Sequence, residues 1–573
     1  VDVVTDSLRL TAEHTVYRGY VSTVEPTLHF GLGTASRVDT LRVRWSDGRV
    51  SLLTNLPADH VVTVPYATAQ PAPPTPIPKP ETPFFEEMTG KNGLLAVHRE
   101  NAFADFKEQV LLPQLYSRNG PGLAVGDADG NGLDDVYVGG ASEQAGTLFF
   151  QTKPGVFAGK PLPKTDASLR GDDMGALFFD ADRDGDLDLY VVVGGNEFDE
   201  NAARYQDRLY LNDGHGNLAF APNALPDLRA SGSCVTAADF DRDGDLDLFI
   251  GGRVVPRKYP MPARSYLLRN DGRKNLTPGP SPAERGALKP NRVSPLSAGE
   301  GPGVRFTDIT PEALKSPGLV CAALWTDYDN DGWPDLLLAG EWMAPTFFRN
   351  EKGNLPTANR QLPTGTGWWN SLAAGDFDED GDVDYVAGNL GLNNRFQPTP
   401  QQPVELFAKD FDQNGTLDPI MGHSIGSKLY PSAPRDQLAE QIPPLKKKFT
   451  SYAQYGSLTL RDLMDEKVTE GALHVTATTF ASSFIENRGG GKFEIRPLPD
   501  LAQIAPIFGM QATDADGDGH LDLLLVGNSY ATDVLVGRYD AGKGLLLRGN
   551  GRGGFAPVSL AKTGLLADRD AKA

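Results

Sequence analysis

The chain has little of what soft-metal and nucleophilic chemistry needs. It contains two cysteines, Cys234 and Cys321, and eight scattered histidines in 573 residues. With no second Cys or His at ligand spacing, a zinc site is excluded in practice. Each cysteine sits on a strand feeding an acidic loop, so two buried thiols are expected rather than a disulfide. No run of about 18 apolar residues occurs, which leaves no transmembrane helix. Positive charge is in deficit: 54 Lys and Arg against 75 Asp and Glu give a net charge of −21. That balance argues against nucleic acid and against anionic membrane surfaces as partners. Gly-x-Ser-x-Gly, His-Glu-x-x-His and the P-loop are all missing, so no catalytic set stands out.

What the chain does have is acid in a fixed pattern. In Asp239-Phe240-Asp241-Arg242-Asp243-Gly244-Asp245-Leu246-Asp247, carboxylates occupy loop positions 1, 3, 5, 7 and 9, with glycine at position 6. Such crowding of like charge is explained by a hard cation, and calcium takes six to eight oxygen ligands at ~2.3–2.6 Å. Seven loops share the spacing, and position 6 is always glycine. The expected ligands are Asp127, Asp129, Asn131 and Asp135; Asp180, Asp182, Asp184 and Asp188; Asp239, Asp241, Asp243 and Asp247. They continue with Asp327, Asp329, Asp331 and Asp335; Asp376, Asp378, Asp380 and Asp384. The last two sets are Asp410, Asp412, Asn414 and Asp418; and Asp514, Asp516, Asp518 and Asp522. Acidic surface turns would need seven coincidences of one spacing. The loops hold 31 of the 75 acids, so seven divalent ions would bring the net charge to about −7. About seven Ca2+ sites are therefore expected.

Each loop runs into a short apolar strand, as in Leu248-Phe249-Ile250-Gly251-Gly252, and not into a helix. Later strands end near Asn-Asp-Gly, as in Leu209-Tyr210-Leu211-Asn212-Asp213-Gly214. Four short strands per repeat read as a propeller blade. The expected fold is all-β: a seven-bladed β-propeller with calcium loops over 84–573, plus a small N-terminal β domain over 1–66. A proline-rich linker spans 67–83. Residues 273–303, rich in Pro, Gly and Ser, read as a disordered insertion. Residues 432–470 read as a short helical insertion, with Thr459-Leu460-Arg461-Asp462 resembling a capping box. Only 34 residues separate Asp376 from Asp410, which implies a trimmed blade. In the N-terminal unit, Leu41–Trp45 and Val50–Leu53 form a hairpin across Ser46-Asp47-Gly48-Arg49, and Val61–Val64 reads as a further strand.

Arg18-Gly19-Tyr20-Val21-Ser22, His29-Phe30-Gly31-Leu32-Gly33, Val43-Arg44-Trp45-Ser46-Asp47-Gly48 and Leu56-Pro57-Ala58 together resemble the ASPIC/UnbV domain. That domain occurs beside integrin-like FG-GAP (VCBS) repeats in bacterial secreted proteins and in cartilage acidic protein. The repeat units after residue 84 resemble FG-GAP/VCBS repeats. The resemblance implies an extracellular, cell-surface or periplasmic protein that is part of a longer polypeptide. Its implied role is a non-catalytic binding or adhesion module for an extracellular glycan or protein ligand. The alternative is a polysaccharide-active, lyase-like enzyme, since some lyases resemble calcium-bearing propellers of this repeat type. His423, His474, or Arg538 with Tyr539 would then supply the base. A purely structural arm is a third reading.

Trp368, Trp369 and Asn370, with Asn393, Arg538 and Tyr539, are the candidate ligand contacts. Aromatic faces stack on sugar rings and amides bond hydroxyls; core packing is the competing role for the same side chains. Arg170-Gly171-Asp172 is an adhesion tripeptide by pattern, at a frequency that chance alone supplies.

Overall fold

A computed structural model describes residues 1–6, 8–17, 19–72, 82–163, 171–272, 304–355 and 359–572. The insertion read at 273–303 and most of the linker lie outside these residues. The chain divides into two compact units, Val1–Glu81 and Thr82–Ala573.

The first unit is one antiparallel sheet, in the order Arg9–Thr11, Asp2–Val4, Arg37–Arg44, Val50–Pro57. The hairpin turn is closed by Trp45 and Arg49, whose backbone groups bond at 2.9 Å. Val3, Val38 and Leu41 form its core. The indole of Trp45 donates to Ser51 at 3.0 Å. Gln70 pairs with Val50, which ties the chain into this unit beyond residue 66. The strand expected at Val61–Val64 is not one. Val61 is 88% exposed, and the sequence offers no apolar–polar alternation there for one face to bury.

The second unit holds seven sheets among the described residues. The first contains Leu123–Gly126, Asp135–Val138, Thr147–Lys153 and Val156–Pro161; the second Asp172–Phe179, Asp188–Gly194, Arg208–Leu211 and Ala219–Phe220. The third contains Gly232–Ala238, Asp247–Gly252, Tyr266–Asn270 and Phe306–Asp308. The fourth contains Leu319–Thr326, Asp335–Met343, Thr346–Phe348 and Asn359–Gln361, with Gly367–Trp368 paired to its second strand. The seventh contains Gly509–Thr513, Asp522–Val526, Leu545–Gly549 and Phe555–Val558. In these five sheets the strands are hydrogen-bonded in chain order, and the acidic loop joins the first strand to the second.

The fifth sheet keeps that order but is interrupted, and the sixth departs from it. Ser371–Gly375 and Asp384–Gly388 are completed by Ser483–Asn487 and Phe493–Pro497, far along the chain. The sixth sheet is inserted between these halves. Its order is Lys428–Pro431, Asp418–Ile425, Val404–Lys409, Leu473–Ala477. The fifth sheet is thus full, and the trimmed blade expected from the 34-residue interval is replaced by an insertion. Five short helices from Arg435–Gln441 to Glu466–Thr469 fill the stretch before Leu473–Ala477. The Thr459–Asp462 capping box is formed, and Lys446, Lys447 and Lys448 face solvent.

The first strands pack side by side in the succession first, second, third, fourth, fifth, seventh sheet. Small residues permit this: a Cβ on Gly175 would come 2.9 Å from the Ser233 carbonyl on the next sheet. The second strands, flanked on both faces, are apolar over most of their length after the opening Asp. Asp188–Gly194 and Asp335–Met343 are buried at every residue. The sixth sheet stands outside the succession and packs Leu473–Ala477 on Asp335–Met343 and Gly367–Trp368 of the fourth. It shares a core with Tyr116, Tyr259, Trp342, Trp368, Phe396 and Phe480. Both cysteines are free, and burial pushes their thiols up, to about 11 at Cys234 and about 12 at Cys321.

Candidate metal centres

Each acidic loop has one backbone design. Position 1 accepts the N–H of position 6 and, in every loop but the third, that of position 5; in the first loop Asp127 Oδ1 accepts from Asn131 at 3.1 Å and Oδ2 from Gly132 at 2.8 Å. Position 5 accepts from position 7, as Asp184 does from Asp186 at 3.1 Å. Position 6 has φ between 84° and 94° in all seven loops, a conformation only glycine adopts without steric cost. Position 4 is also left-handed, including Arg183, Arg242, Asn330, Glu379 and Gln413. Together these turns point the side chains of positions 1, 3 and 9 inward. One oxygen from each lies within 4.8 Å of the others in the Asp127–Asp129–Asp135, Asp180–Asp182–Asp188, Asp239–Asp241–Asp247 and Asp327–Asp329–Asp335 sets.

The donor sets fit a hard cation. Asp239, Asp329, Asp412 and Asp516 each turn a buried Oδ1 inward with no hydrogen-bond donor on it, and Asp247 does so with Oδ2. Burying an oxygen anion without a donor is costly, and a dication supplies what the protein does not. Burial pushes the position 9 carboxyls up, to about 7 at Asp188, Asp335 and Asp384, about 8 at Asp247 and about 6 at Asp418. Neighbouring loop acids push in the same direction.

Position 9 does more than complete a ligand set. Its carboxylate clamps the loop to the end of the third strand, as Asp188 does from Ala181 at 2.8 Å and from Asn212 at 2.8 Å. Asp247 takes the Asn270 N–H and Asp384 the Asn487 N–H in the same way, each at 2.8 Å. The asparagine side chain then reaches back to the preceding sheet. Asn212 donates to the Ala128 carbonyl at 2.7 Å, Asn270 to Ala181 at 2.8 Å, Asn350 to Phe240 at 2.7 Å and Asn487 to Tyr328 at 3.0 Å. Every acceptor is position 2 of the previous loop. Between the fifth and seventh sheets the Gly553 N–H takes this role on Phe377 at 3.0 Å. The Asn-Asp-Gly strand ends were visible in the sequence, but their reach into the neighbouring loop was not.

Arginines also escaped the sequence reading. Arg349 meets Asp329 at 2.7 Å and Asp331 at 2.9 Å, and Arg548 meets Asp516 at 2.8 Å and Asp518 at 2.6 Å. Both stand one residue before the clamping position, so a repeated Arg at the third strand's end was the available signal.

Residues 1–71 match the ASPIC and UnbV family, and residues 127–191, 192–250 and 327–387 match the FG-GAP-like repeat. The chain carries an ASPIC/UnbV domain and FG-GAP-like repeats. Five of the seven loops fall inside the matched FG-GAP-like segments; those starting at Asp410 and Asp514 fall outside. No curated protein matches the chain. Among solved structures it is similar to the V. cholerae biofilm matrix protein Bap1, at 10% identity over 78% of this chain and 81% of that one, with a TM-score of 0.25.

The candidate ligand contacts do not assemble as one surface. Trp369 is fully buried, its indole donating to the Gly365 carbonyl at 3.3 Å. Trp368 is buried against Trp342, Phe396 and Phe480. Both are core: Trp368 packs in the cluster that the inserted sheet shares, and Trp369 between the fourth and fifth sheets with Phe347, Tyr385 and Ile485. Asn370 bonds the Gly388 carbonyl through its backbone at 2.8 Å. Asn393 is exposed and donates to Ile504 at 3.1 Å. Arg538 is exposed and lies over the Tyr530 ring at 4.8 Å. Tyr539 is half-buried, with its hydroxyl in the interior and no hydrogen-bond partner. His474 stacks flat on Phe407 at 4.2 Å and bonds Glu405, while His423 bonds Ser432 at 2.9 Å. The Asp172 of the adhesion tripeptide is buried in a strand, out of reach of any receptor.

Proposed function

We propose that the second unit is a calcium-stabilised β-propeller acting as an extracellular, non-catalytic binding or adhesion module for a glycan or protein ligand. In this reading six sheets in succession are blades, and the sixth in chain order is an insertion carrying its own calcium loop. The reading differs from seven equivalent blades in that respect. The observation that carries it is the loop-to-loop link: each asparagine ties one calcium loop to the next sheet, so ligand-set geometry and sheet packing are one structure. Calcium held by the position 1, 3, 5 and 9 side chains would neutralise acids that the fold otherwise crowds together. The direct test is a glycan array and a protein-binding screen, each run with calcium and with EGTA. Calcium-dependent retention of a ligand class supports the module; retention unchanged by EGTA removes calcium from the role.

A second reading, a lyase-like enzyme on polysaccharide, has one observation in its favour. Arg395 lies close enough to Tyr539 and to His423 to act electrostatically on both, and a lyase needs a base beside a group that neutralises a uronate. Incubation with uronate polysaccharides and detection of unsaturated chain ends decides it.

A further inference from the structure

Outside the acidic loops, a further group of carboxylates converges among the described residues. Glu100, Asp172 and Glu197 place one oxygen each within 4.8 Å of one another. They come from three places: Glu100 from the segment before the first sheet, Asp172 from the start of Asp172–Phe179, and Glu197 from just past Asp188–Gly194. The acidic loop of this second sheet lies at the other end of the same strand, roughly 26 Å away at 3.3 Å per residue.

Asp172 is 1% exposed and Glu197 6% exposed. Both oxygens of Asp172, Oε1 of Glu197 and Oε2 of Glu100 are buried with no hydrogen-bond partner. The contrast with Asp105 close by is direct. Asp105 is also fully buried, yet it accepts from the Tyr116 N–H at 3.1 Å, from Asn196 Nδ2 at 2.6 Å and from Ser117 Oγ at 2.5 Å. The fold therefore supplies donors to both oxygens of Asp105, whereas Glu197 receives one, the Asn196 N–H on Oε2 at 2.9 Å, Glu100 meets one, His98 on Oε1, and four oxygens of the three acids are left without any. Among the described residues, the ion-pair partner of the three is His98 alone, whose Nε2 lies 2.8 Å from Glu100 Oε1. Burial alone would lower the His98 pKa; Glu100, with the Gly139 carbonyl and the charge of Asp173, outweighs it and leaves it raised. Burial, then the charge of Glu197, drives the Asp172 pKa upward. The Ser142 hydroxyl, on the residue whose backbone N–H acts on Asp172, is buried without a partner as well.

The backbone is shaped to this cluster. Gly195 has φ of 107°, and a Cβ there would collide with Glu197 Oε2 and Asp172 Oδ2. A surface cavity of about 500 Å³, lined by Val97, Arg99, Glu100, Asn101, Glu143 and Gln144, reaches the cluster's Glu100.

We propose that Glu100, Asp172 and Glu197 form a further cation site, distinct from the seven loops, that takes a hard divalent cation, calcium first. The donors are all oxygen, the three carboxylates leave four oxygens without a partner, and calcium accepts six to eight ligands, water among them. His98 holds Glu100 from behind, in the manner of a group that orients a ligand carboxylate.

The test uses the full chain loaded with calcium and dialysed, with metal counted by mass spectrometry. The Asp172→Asn/Glu197→Gln double variant is expected to bind one ion fewer per chain than the wild type. In EGTA it should melt higher than wild type, because two buried acids are gone, whereas its gain on adding calcium should be smaller. A crossing of this kind does not arise from a structural role alone. Wild-type crystals grown with Mn2+ should give an anomalous peak between the three carboxylates. That measurement stands even if the variant fails to fold. Equal metal content in both proteins, or crystals with anomalous peaks in the loops and none at Asp172, would overturn the proposal and leave a proton-sharing carboxyl cluster.

Discussion

The acidic loop of the sixth sheet and those of the other sheets have the same nine-residue design and different neighbours. In the second sheet, Asp188 at position 9 clamps the third strand, and Asn212 carries the link onward to the loop before it. In the sixth sheet, Asp418 receives instead a side-chain bond from Gln441, on a helix, at 2.7 Å. Gln441 in turn accepts from the Val110 N–H at 2.7 Å. The metal loop is therefore portable: it needs its own spacing and one donor for position 9. The sheet-to-sheet succession adds a donor onto position 2 of the preceding loop, an asparagine side chain at four steps and the Gly553 N–H at the fifth. A loop without that donor can be placed anywhere the chain permits, and here it sits in an insertion.

The largest way to break this comparison is to take the metal from all loops at once. Modules of this kind bind calcium at ~10⁻⁴–10⁻³ M, which gives about 0.4–1.4 kcal/mol for each site at about 1 mM calcium. Melting temperature in EGTA should fall well below that in calcium, and equal values would remove the metal from the fold's stability.

The next test separates the two kinds of loop. Asn350→Ala strips the Phe240 and Pro334 carbonyls of their donor, so a loss of about 2–4 kcal/mol is expected. Gln441→Ala should cost less, about 1–2 kcal/mol, and should leave the order of the other sheets untouched. Urea unfolding of both variants in saturating calcium measures the difference. A larger loss for Gln441→Ala would mean that the inserted sheet, not the asparagine chain, holds the unit together.

A third test uses pH. In EGTA the position 9 carboxyls Asp188, Asp247, Asp335, Asp384 and Asp418 have folded values near 6 to 8, above the unfolded value of about 3.9, and burial raises Asp135 and Asp522 in the same direction. The folded state then binds more protons than the unfolded state in this window, so stability falls as pH rises from about 4 to about 8. Bound calcium holds these groups ionised and should flatten or reverse that slope. Urea midpoints at pH 5 and 8, with and without calcium, are the readout; a rising slope in EGTA would show that the clamping bonds outweigh the burial.

The smallest effect is expected from deleting 273–303. A long loop costs little more than a short one, so the melting temperature should stay within a few degrees. A collapse of folding would assign that segment a packed role.

These contrasts also show where the sequence was readable. The loops were legible because nine adjacent residues carry the whole ligand set, and glycine at position 6 marks the turn. The insertion was not, because Ser483–Asn487 has the same text whether it opens a new sheet or completes an old one. Its partner Asp384–Gly388 is fixed only by long-range pairing. Trp368 and Trp369 misled for another reason: an aromatic side chain has the same chemistry in a core and on a sugar ring, and burial alone separates them. Glu100, Asp172 and Glu197 share no local spacing, so nothing short of the folded chain brings them together.

The interrupted fifth sheet has a consequence for synthesis. Its second strand ends at Gly388 and its third begins at Ser483. At about 5–20 residues per second, a ribosome needs roughly 5–20 s to make the stretch between them. During that time the first four sheets can assemble, while Asp384–Gly388 waits with an open edge. The inserted sheet and its helices are complete before that edge is closed, so a nascent chain has its cover in place before it seals the fifth sheet.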